Sequence, residues 1–281
     1  VAGTARPSGE TAAMSKPASA PASIASFSKA GFTATSVPRA RTGTEKRVRV
    51  SRPPGSPIDT VTSPRTGRVV VALCDTASQG SQPVPARIGD GDKPDDNLYW
   101  GCDEGFASVF RKAPGWKIDR REDNPAPGIL RRLVLTHAAS RTTLQADAYQ
   151  GRAIRRCLAD FEACLAGGQC DLAAYLGHNG LMDFNLDPPA AGPKGCDAIV
   201  LCCKSQEYFH RRLAALKARP LLLTRQFMYP GSFLLRDALA VWIDGGSPDQ
   251  IRAAAARAYA RNQGVSFKAA LGVFAPAPPA P

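Results

Sequence analysis

Short apolar runs, each too short to be a buried helix, constrain the fold of this chain more than any other feature. Residues 68–75 (RVVVALCD) form a continuous β-branched run, and similar runs occur at 129–136 (ILRRLVLT), 172–176 (LAAYL), 198–201 (AIVL) and 220–224 (PLLLT). Runs that are apolar at consecutive positions indicate strands covered on both faces, as in a parallel sheet. We therefore predict five strands of a largely buried sheet.

Segments with helical spacing of apolar residues separate most of these runs. Ser247 and Gln250 form a capping-box pattern with Pro248 at the first helical position, and Asp147 is placed to cap an earlier helix. Alternation of strands with helical crossovers predicts an α/β fold of three layers, a mostly parallel sheet with helices on both faces. The predicted helices span 98–113, 147–166, 206–218, 233–243 and 248–262.

The charge of the chain is concentrated at its amino-terminal end. Residues 1–66 are rich in Ala, Ser, Pro and Thr and carry ten Lys or Arg against three acidic residues. We predict a disordered, basic, low-complexity tail over 1–66, one α/β domain over 67–275 and a disordered Pro/Ala end over 276–281. Because the folded part lacks a basic stripe, we expect no specific nucleic-acid partner.

The spacing of the eight cysteines and the composition of the acidic loop are the basis for predicting the compartment and the metal content. The cysteines form no C-x-x-C pair and no zinc-finger spacing, so we interpret them as mostly reduced thiols of a cytoplasmic protein. The acidic loop 88–97 (IGDGDKPDDN) fails the EF-hand pattern because Pro94 occupies a ligand position. We predict no metal, no cofactor and no membrane span, and residues 14–44 fit a disordered leader better than an organelle transit peptide.

Reactive side chains follow the predicted strands. Asp75, His137, His178 and Cys203 each come at or just past the end of an apolar run. In an open α/β sheet the ligand site lies off the carboxyl ends of the strands, and neighbouring strands are about 4.8 Å apart. We therefore expect side chains at these ends to meet at one edge of the sheet.

An imidazole and a thiol at one sheet edge indicate nucleophilic catalysis. A neighbouring base and the positive end of a helix dipole both favour the reactive thiolate, and Cys203 is placed to have both. We predict Cys203 as nucleophile, His178 as general base and the N–H groups of Gly180 and Cys203 as oxyanion donors. Cys202 is the alternative nucleophile and His137 the alternative base.

The two blocks AAYLGHNG and AIVLCCKS resemble the caspase-like cysteine peptidases. In that family an apolar strand ends in His-Gly and a later one ends in the nucleophilic Cys. The resemblance implies a caspase–haemoglobinase fold, a cysteine-type endopeptidase and a peptide or protein substrate, with His178, Cys203 and Gly180 in the roles given above. It also implies that Asp75, which ends the first run, binds a basic side chain at the P1 position of the substrate.

Two other functions remain open. Asn179 stands between His178 and Gly180, and the loop joining the two blocks is short, which favours a non-catalytic caspase-like interaction module. A flavodoxin-like ligand-binding domain is the third hypothesis, although no glycine-rich phosphate loop follows the first predicted strand. The sequence does not predict an oligomeric state.

Overall fold

The computed structural model describes residues 63–80, 84–190 and 196–276. These residues form a seven-stranded sheet and six α-helices, which confirms the predicted α/β class. The predicted disordered segments 1–66 and 276–281 lie almost wholly outside the described residues. The strands are β1 (Arg65–Ala72), β2 (Trp116–Ala126), β3 (Ile129–His137), β4 (Thr142–Tyr149), β5 (Leu172–Leu176), β6 (Asp197–Leu201) and β7 (Arg219–Leu222). The helices are α1 (Phe106–Arg111), α2 (Ile154–Gly167), α3 (Ser205–Ala215), α4 (Phe233–Ile243), α5 (Pro248–Gln263) and α6 (Phe267–Val273).

The sheet is mostly parallel, with β1 at its centre. Its strand order is β2-β3-β4-β1-β5-β6-β7, in which β4, β1, β5, β6 and β7 run parallel. The hairpin of β2 and β3 extends this sheet in antiparallel fashion beside β4. The carboxyl ends of five strands therefore share one edge of the sheet.

Helices cover both faces of the sheet, as predicted. Val69 and Val71 of β1 belong to one core, which α1, α4, α5 and α6 complete. Val70 and Ala72 point to the other face and join the core formed with α2 and α3. Since burying a large aliphatic side chain contributes roughly 1.5–3 kcal/mol, the run at β1 is stabilised from both sides.

Two strands and one helix boundary differ from the prediction. The predicted helix start at Asp147 is wrong, because Asp147 lies inside β4 and is fully buried beside Arg68 and Arg132. The helix begins only at Ile154. The sequence prediction also missed β2, whose charged residues are typical of an edge strand that avoids pairing with other sheets.

The helix ends were predicted with mixed success. The capping box is confirmed, since Ser247 and Gln250 exchange side chain–backbone hydrogen bonds at the start of α5. The helix predicted over 98–113 is wrong in length, because only Phe106–Arg111 is helical. No helix in the described part of the chain combines the length and the apolar character needed to cross a bilayer.

Candidate active site

The predicted catalytic residues follow two neighbouring parallel strands. Leu176 of β5 pairs with Leu201 of β6, so His178 and Cys203 each lie two residues beyond a matched pair. The N–H of Gly177 donates to the Leu201 carbonyl at 3.3 Å, and the Asn179 side-chain amide donates to the Cys203 carbonyl at 2.7 Å. The loop that carries His178 is thereby bound to the loop that carries Cys203.

The ring of His178 is oriented by an acidic residue that the sequence prediction missed. His178 Nε2 lies 2.6 Å from Asp183 Oδ2, and the Tyr175 hydroxyl donates to the His178 carbonyl at 2.5 Å. An Nε2–H that donates to the carboxylate leaves the lone pair on Nδ1, which makes Nδ1 the basic nitrogen. A carboxylate five residues after the histidine, in the same polar loop, was the available signal.

The sulfur of Cys203 contacts the backbone of a third segment, which follows β7. Cys203 Sγ lies 3.5 Å from the Met228 carbonyl oxygen and 3.4 Å from the Met228 nitrogen. In the same segment, the Gln226 carbonyl accepts a hydrogen bond from the Lys204 N–H at 2.9 Å. Sequence reasoning missed this segment, because nothing in its local pattern indicates that it passes over a thiol.

Burial dominates the electrostatics of the thiol. It raises the pKa of Cys203, while hydrogen bonds from the N–H groups of Met228 and Cys203 itself and the charge of Lys204 lower it in part. Burial also raises the pKa of Tyr99 well above its ordinary value, and the nearby thiols of Cys74 and Cys203 add to this rise. The resting thiol is therefore protonated at neutral pH.

The pH dependence of Cys203 alkylation follows from this shift. Because the thiolate is the reacting form, a raised pKa predicts that the iodoacetamide rate keeps increasing from neutral into alkaline pH. Replacing Lys204 with glutamine removes a favourable charge and should move the profile further alkaline. Mass spectrometry of the peptide that contains Cys203 measures both rates. A rate already maximal at neutral pH would contradict the prediction and indicate a thiolate stabilised by His178.

The twin cysteines point to opposite faces of the sheet, as alternation predicts. Cys202 is fully buried in the core beneath α2 and α3, and burial raises its pKa well above the ordinary value. Cys203 is partly exposed and turns towards Met228. Cys203 is thus the better placed nucleophile of the two.

His137 and Asp75 are not brought to Cys203. Because β3 is antiparallel to β4, His137 lies at the amino-end edge, about 25 Å from the carboxyl ends for strands of this length. The expectation that His137 shares the edge with His178 is therefore wrong. Asp75 accepts hydrogen bonds from the Ala77 N–H at 3.0 Å and the Ser78 hydroxyl at 2.6 Å, and packs against Gly151 after β4. The structure places Asp75 on the side of β1 away from β6.

The backbone donors at the site are only partly as predicted. The N–H of Gly180 donates to the His178 carbonyl at 3.1 Å, so it closes a tight turn within the His178 loop. The N–H of Cys203 lies beside its own sulfur. Of the two predicted oxyanion donors, the Cys203 N–H lies beside the Cys203 sulfur, whereas the Gly180 N–H is bonded to the His178 carbonyl.

Gly177 allows the turn that leads into His178. Its φ is +143°, and a Cβ at this position would lie 2.8 Å from the Ala72 carbonyl oxygen. We expect Gly177→Ala to lower the free energy of unfolding by about 2–4 kcal/mol, through backbone strain and overlap together. Gly245→Ala is the matched control, because Gly245 also has positive φ but open space around it, and should cost about 1–2 kcal/mol. Urea denaturation of both variants measures the difference; equal losses would contradict it.

The described residues contain no group of three or more His, Cys, Asp or Glu side chains arranged to hold a metal ion. In the acidic loop 88–97, which fails the EF-hand pattern, Asp90 pairs with Lys93 at 3.0 Å. Asp95 in the same loop binds Arg131 at 2.9 Å.

Comparisons with protein-family models, with curated proteins and with solved structures give no match for this chain.

Proposed function

We propose that this chain is a caspase-like cysteine peptidase whose nucleophile is Cys203 and whose general base is His178. The observation that carries the proposal is the register of β5 and β6, which puts the two residues at equal height beyond adjacent parallel strands. The Asn179–Cys203 hydrogen bond supports it, because it couples the two loops directly. The Asp183 carboxylate on His178 Nε2 supports a base that acts through Nδ1.

The reaction needs two steps of acyl transfer. His178 Nδ1 takes the proton of the Cys203 thiol, and the sulfur attacks the carbonyl carbon of the scissile peptide bond. The amine leaves with the proton from His178, and a thioester remains on Cys203. Water, deprotonated by His178, then cleaves the thioester to give a carboxylate and the free thiol.

The resting form is latent in this proposal. The Met228 backbone makes two contacts with the Cys203 sulfur, as a carbonyl acceptor and an N–H donor. A substrate strand has the same pair of backbone groups, so it can replace Met228 when the segment moves. Catalysis then requires the thiol to turn from Met228 towards His178.

A non-catalytic interaction module is the second candidate function. The contact between Cys203 and Met228 favours it, because that contact satisfies the sulfur without His178. The raised pKa of Cys203 also fits a thiol with no catalytic partner.

Labelling with a peptidyl acyloxymethyl ketone separates the two functions. The peptide of this reagent supplies the strand that can replace Met228 and free the thiol for activation by His178, so we expect it to label the wild type and the Cys202→Ala variant but not Cys203→Ala. Intact-protein mass spectrometry gives the readout. Equal labelling of all three proteins would contradict Cys203 as nucleophile. Failure to label any of them, while iodoacetamide still alkylates Cys203, would favour the interaction module.

A further inference from the structure

Three thiols form a cluster at the edge of the sheet opposite Cys203. Cys164 lies in the last turns of α2, Cys170 lies just before β5 and Cys196 lies just before β6. The sulfurs of Cys164 and Cys170 are 2.6 Å apart, and those of Cys170 and Cys196 are 3.7 Å apart. No part of the proposed peptidase mechanism uses these residues.

Two of the three thiols of the cluster are partly exposed to solvent, while the third, Cys196, is buried. Cys74, Cys157 and Cys202 are fully buried, whereas Cys164 and Cys170 are partly exposed. A surface cleft between the starts of β5 and β6 has Cys170 and Cys196 in its lining, together with Asp171, Asp197 and Arg219. A small polar molecule in this cleft can therefore reach Cys170 and Cys196 without opening the core, and Cys164 beside Cys170 is itself partly exposed.

Within the pair, the contact with Cys170 and the charge of Arg68 both favour Cys164 as the thiol that reacts first. Either sulfur can donate the hydrogen bond between Cys164 and Cys170, and this contact lowers the pKa of Cys164 and raises that of Cys170. The charge of Arg68 also favours the Cys164 thiolate. Thiol–disulfide exchange starts from the thiolate, so Cys164 is the attacking group and Cys170 the resolving one.

We propose that Cys164 and Cys170 are a redox-active dithiol, which a small-molecule disulfide oxidises to an intramolecular disulfide. The Cys164 thiolate attacks one sulfur of the reagent, forms a mixed disulfide and releases one thiolate. The deprotonated Cys170 then attacks Cys164 Sγ, forms the Cys164–Cys170 bond and releases the second thiolate. The protein loses two electrons and two protons, and the reagent becomes two thiols. Cys196 lies close enough to Cys170 to exchange with the bridge afterwards.

The bridge would join the end of α2 to the entry of β5. At that entry the Asp171 N–H donates to the Thr66 carbonyl at 2.8 Å. The Asp197 N–H donates to the Asp171 carbonyl at 2.9 Å. Oxidation therefore covalently fixes a point where β1, β5 and β6 all begin. The proposal does not depend on peptidase activity, because the cluster and the candidate active site lie at opposite ends of these strands.

Peptide mapping of the oxidised full chain tests the dithiol. The protein is incubated with oxidised glutathione, its remaining thiols are alkylated, and it is digested with a protease that cleaves before aspartate. Peptide 160–170 then contains Cys164 and Cys170 and no other cysteine. We expect this peptide to lose the mass of two hydrogen atoms and to carry no alkyl group, and to be restored by dithiothreitol.

Variants define the outcome. Cys157→Ser changes a buried cysteine of the same helix and should leave the bridge intact, whereas Cys170→Ser should leave Cys164 as a stable glutathione adduct. Recovery of peptide 160–170 with two alkyl groups or two glutathiones would overturn the proposal. A cross-link between peptides 160–170 and 187–196 as the first product would overturn the assignment of Cys164. Neither result bears on the labelling of Cys203.

Discussion

Replacing Asp147 with alanine is expected to lower the free energy of unfolding by about 3 kcal/mol. Asp147 is fully buried in β4 and binds Arg68 at 2.5 Å and Arg132 at 2.6 Å. This contact also raises the pKa of Arg132. Breaking a buried pair typically costs 3–5 kcal/mol, because the remaining charge loses its partner. We expect a cost at the lower end of this range, because the side chains of Arg68 and Arg132 are still 29% and 21% exposed.

Asp119 provides the matched control for Asp147. It lies on β2, which β3 separates from β4, and pairs with Lys117 at 3.1 Å in a more exposed setting. Exposed ion pairs contribute about 0–1 kcal/mol, so Asp119→Ala should change the melting temperature little. For a domain of this size, 3 kcal/mol corresponds to roughly 6–12 °C in the thermal midpoint. Equal midpoints for the two variants would show that the Asp147 cluster is not stabilising.

The second large effect concerns His178. If it is the general base, His178→Ala should reduce peptide hydrolysis, or the rate of acyloxymethyl-ketone labelling, by about 10²–10⁴-fold. The physical reason is that the partly buried Cys203 thiol then has no imidazole to accept its proton. The rate is measured with saturating substrate, so that loss of binding does not mimic loss of the base.

The chain contains only three histidines, which makes the control complete. His210 is exposed on α3 and His137 lies at the opposite edge of the sheet, so alanine at either position should leave the rate within about twofold. The rate of Asp183→Asn should fall between the rates of His178→Ala and the wild type. Because Asp183 acts through the ring of His178, the change should lower kcat more than it raises KM. A rate that drops equally for His137→Ala and His178→Ala would contradict the assignment.

The sequence was informative wherever strands are buried on both faces. The runs in β1, β5 and β6 have few polar residues because helices cover both sides, and their ends identify the edge that holds His178 and Cys203. In β4 only alternate residues, such as Leu144 and Ala146, are apolar and face the core with α1. The intervening Asp147 looked like a helix cap in the sequence. Its partners Arg68 and Arg132 lie on other strands, so no local pattern showed that an aspartate would be buried in a strand here.

The parts of the site that were not predicted depend on the paths of loops. Asp183 and Met228 reach the site through turns after β5 and β7, and no periodic pattern encodes such paths. The contacts of Asp75 were not predictable for a similar reason. The residue does follow β1, but the turn through Ala77 and Ser78 uses its carboxylate locally.

The central position of β1 affects how the chain folds during synthesis. β1 leaves the ribosome before every other strand of the sheet, yet its contacts with β4 and β5 join residues 79 and 105 positions apart. Contacts so distant in sequence form slowly. The nascent chain must therefore carry the uncovered valines of β1 until more than half of the domain has been made. We expect this strand to be where chaperones bind first and where aggregation of a truncated chain begins.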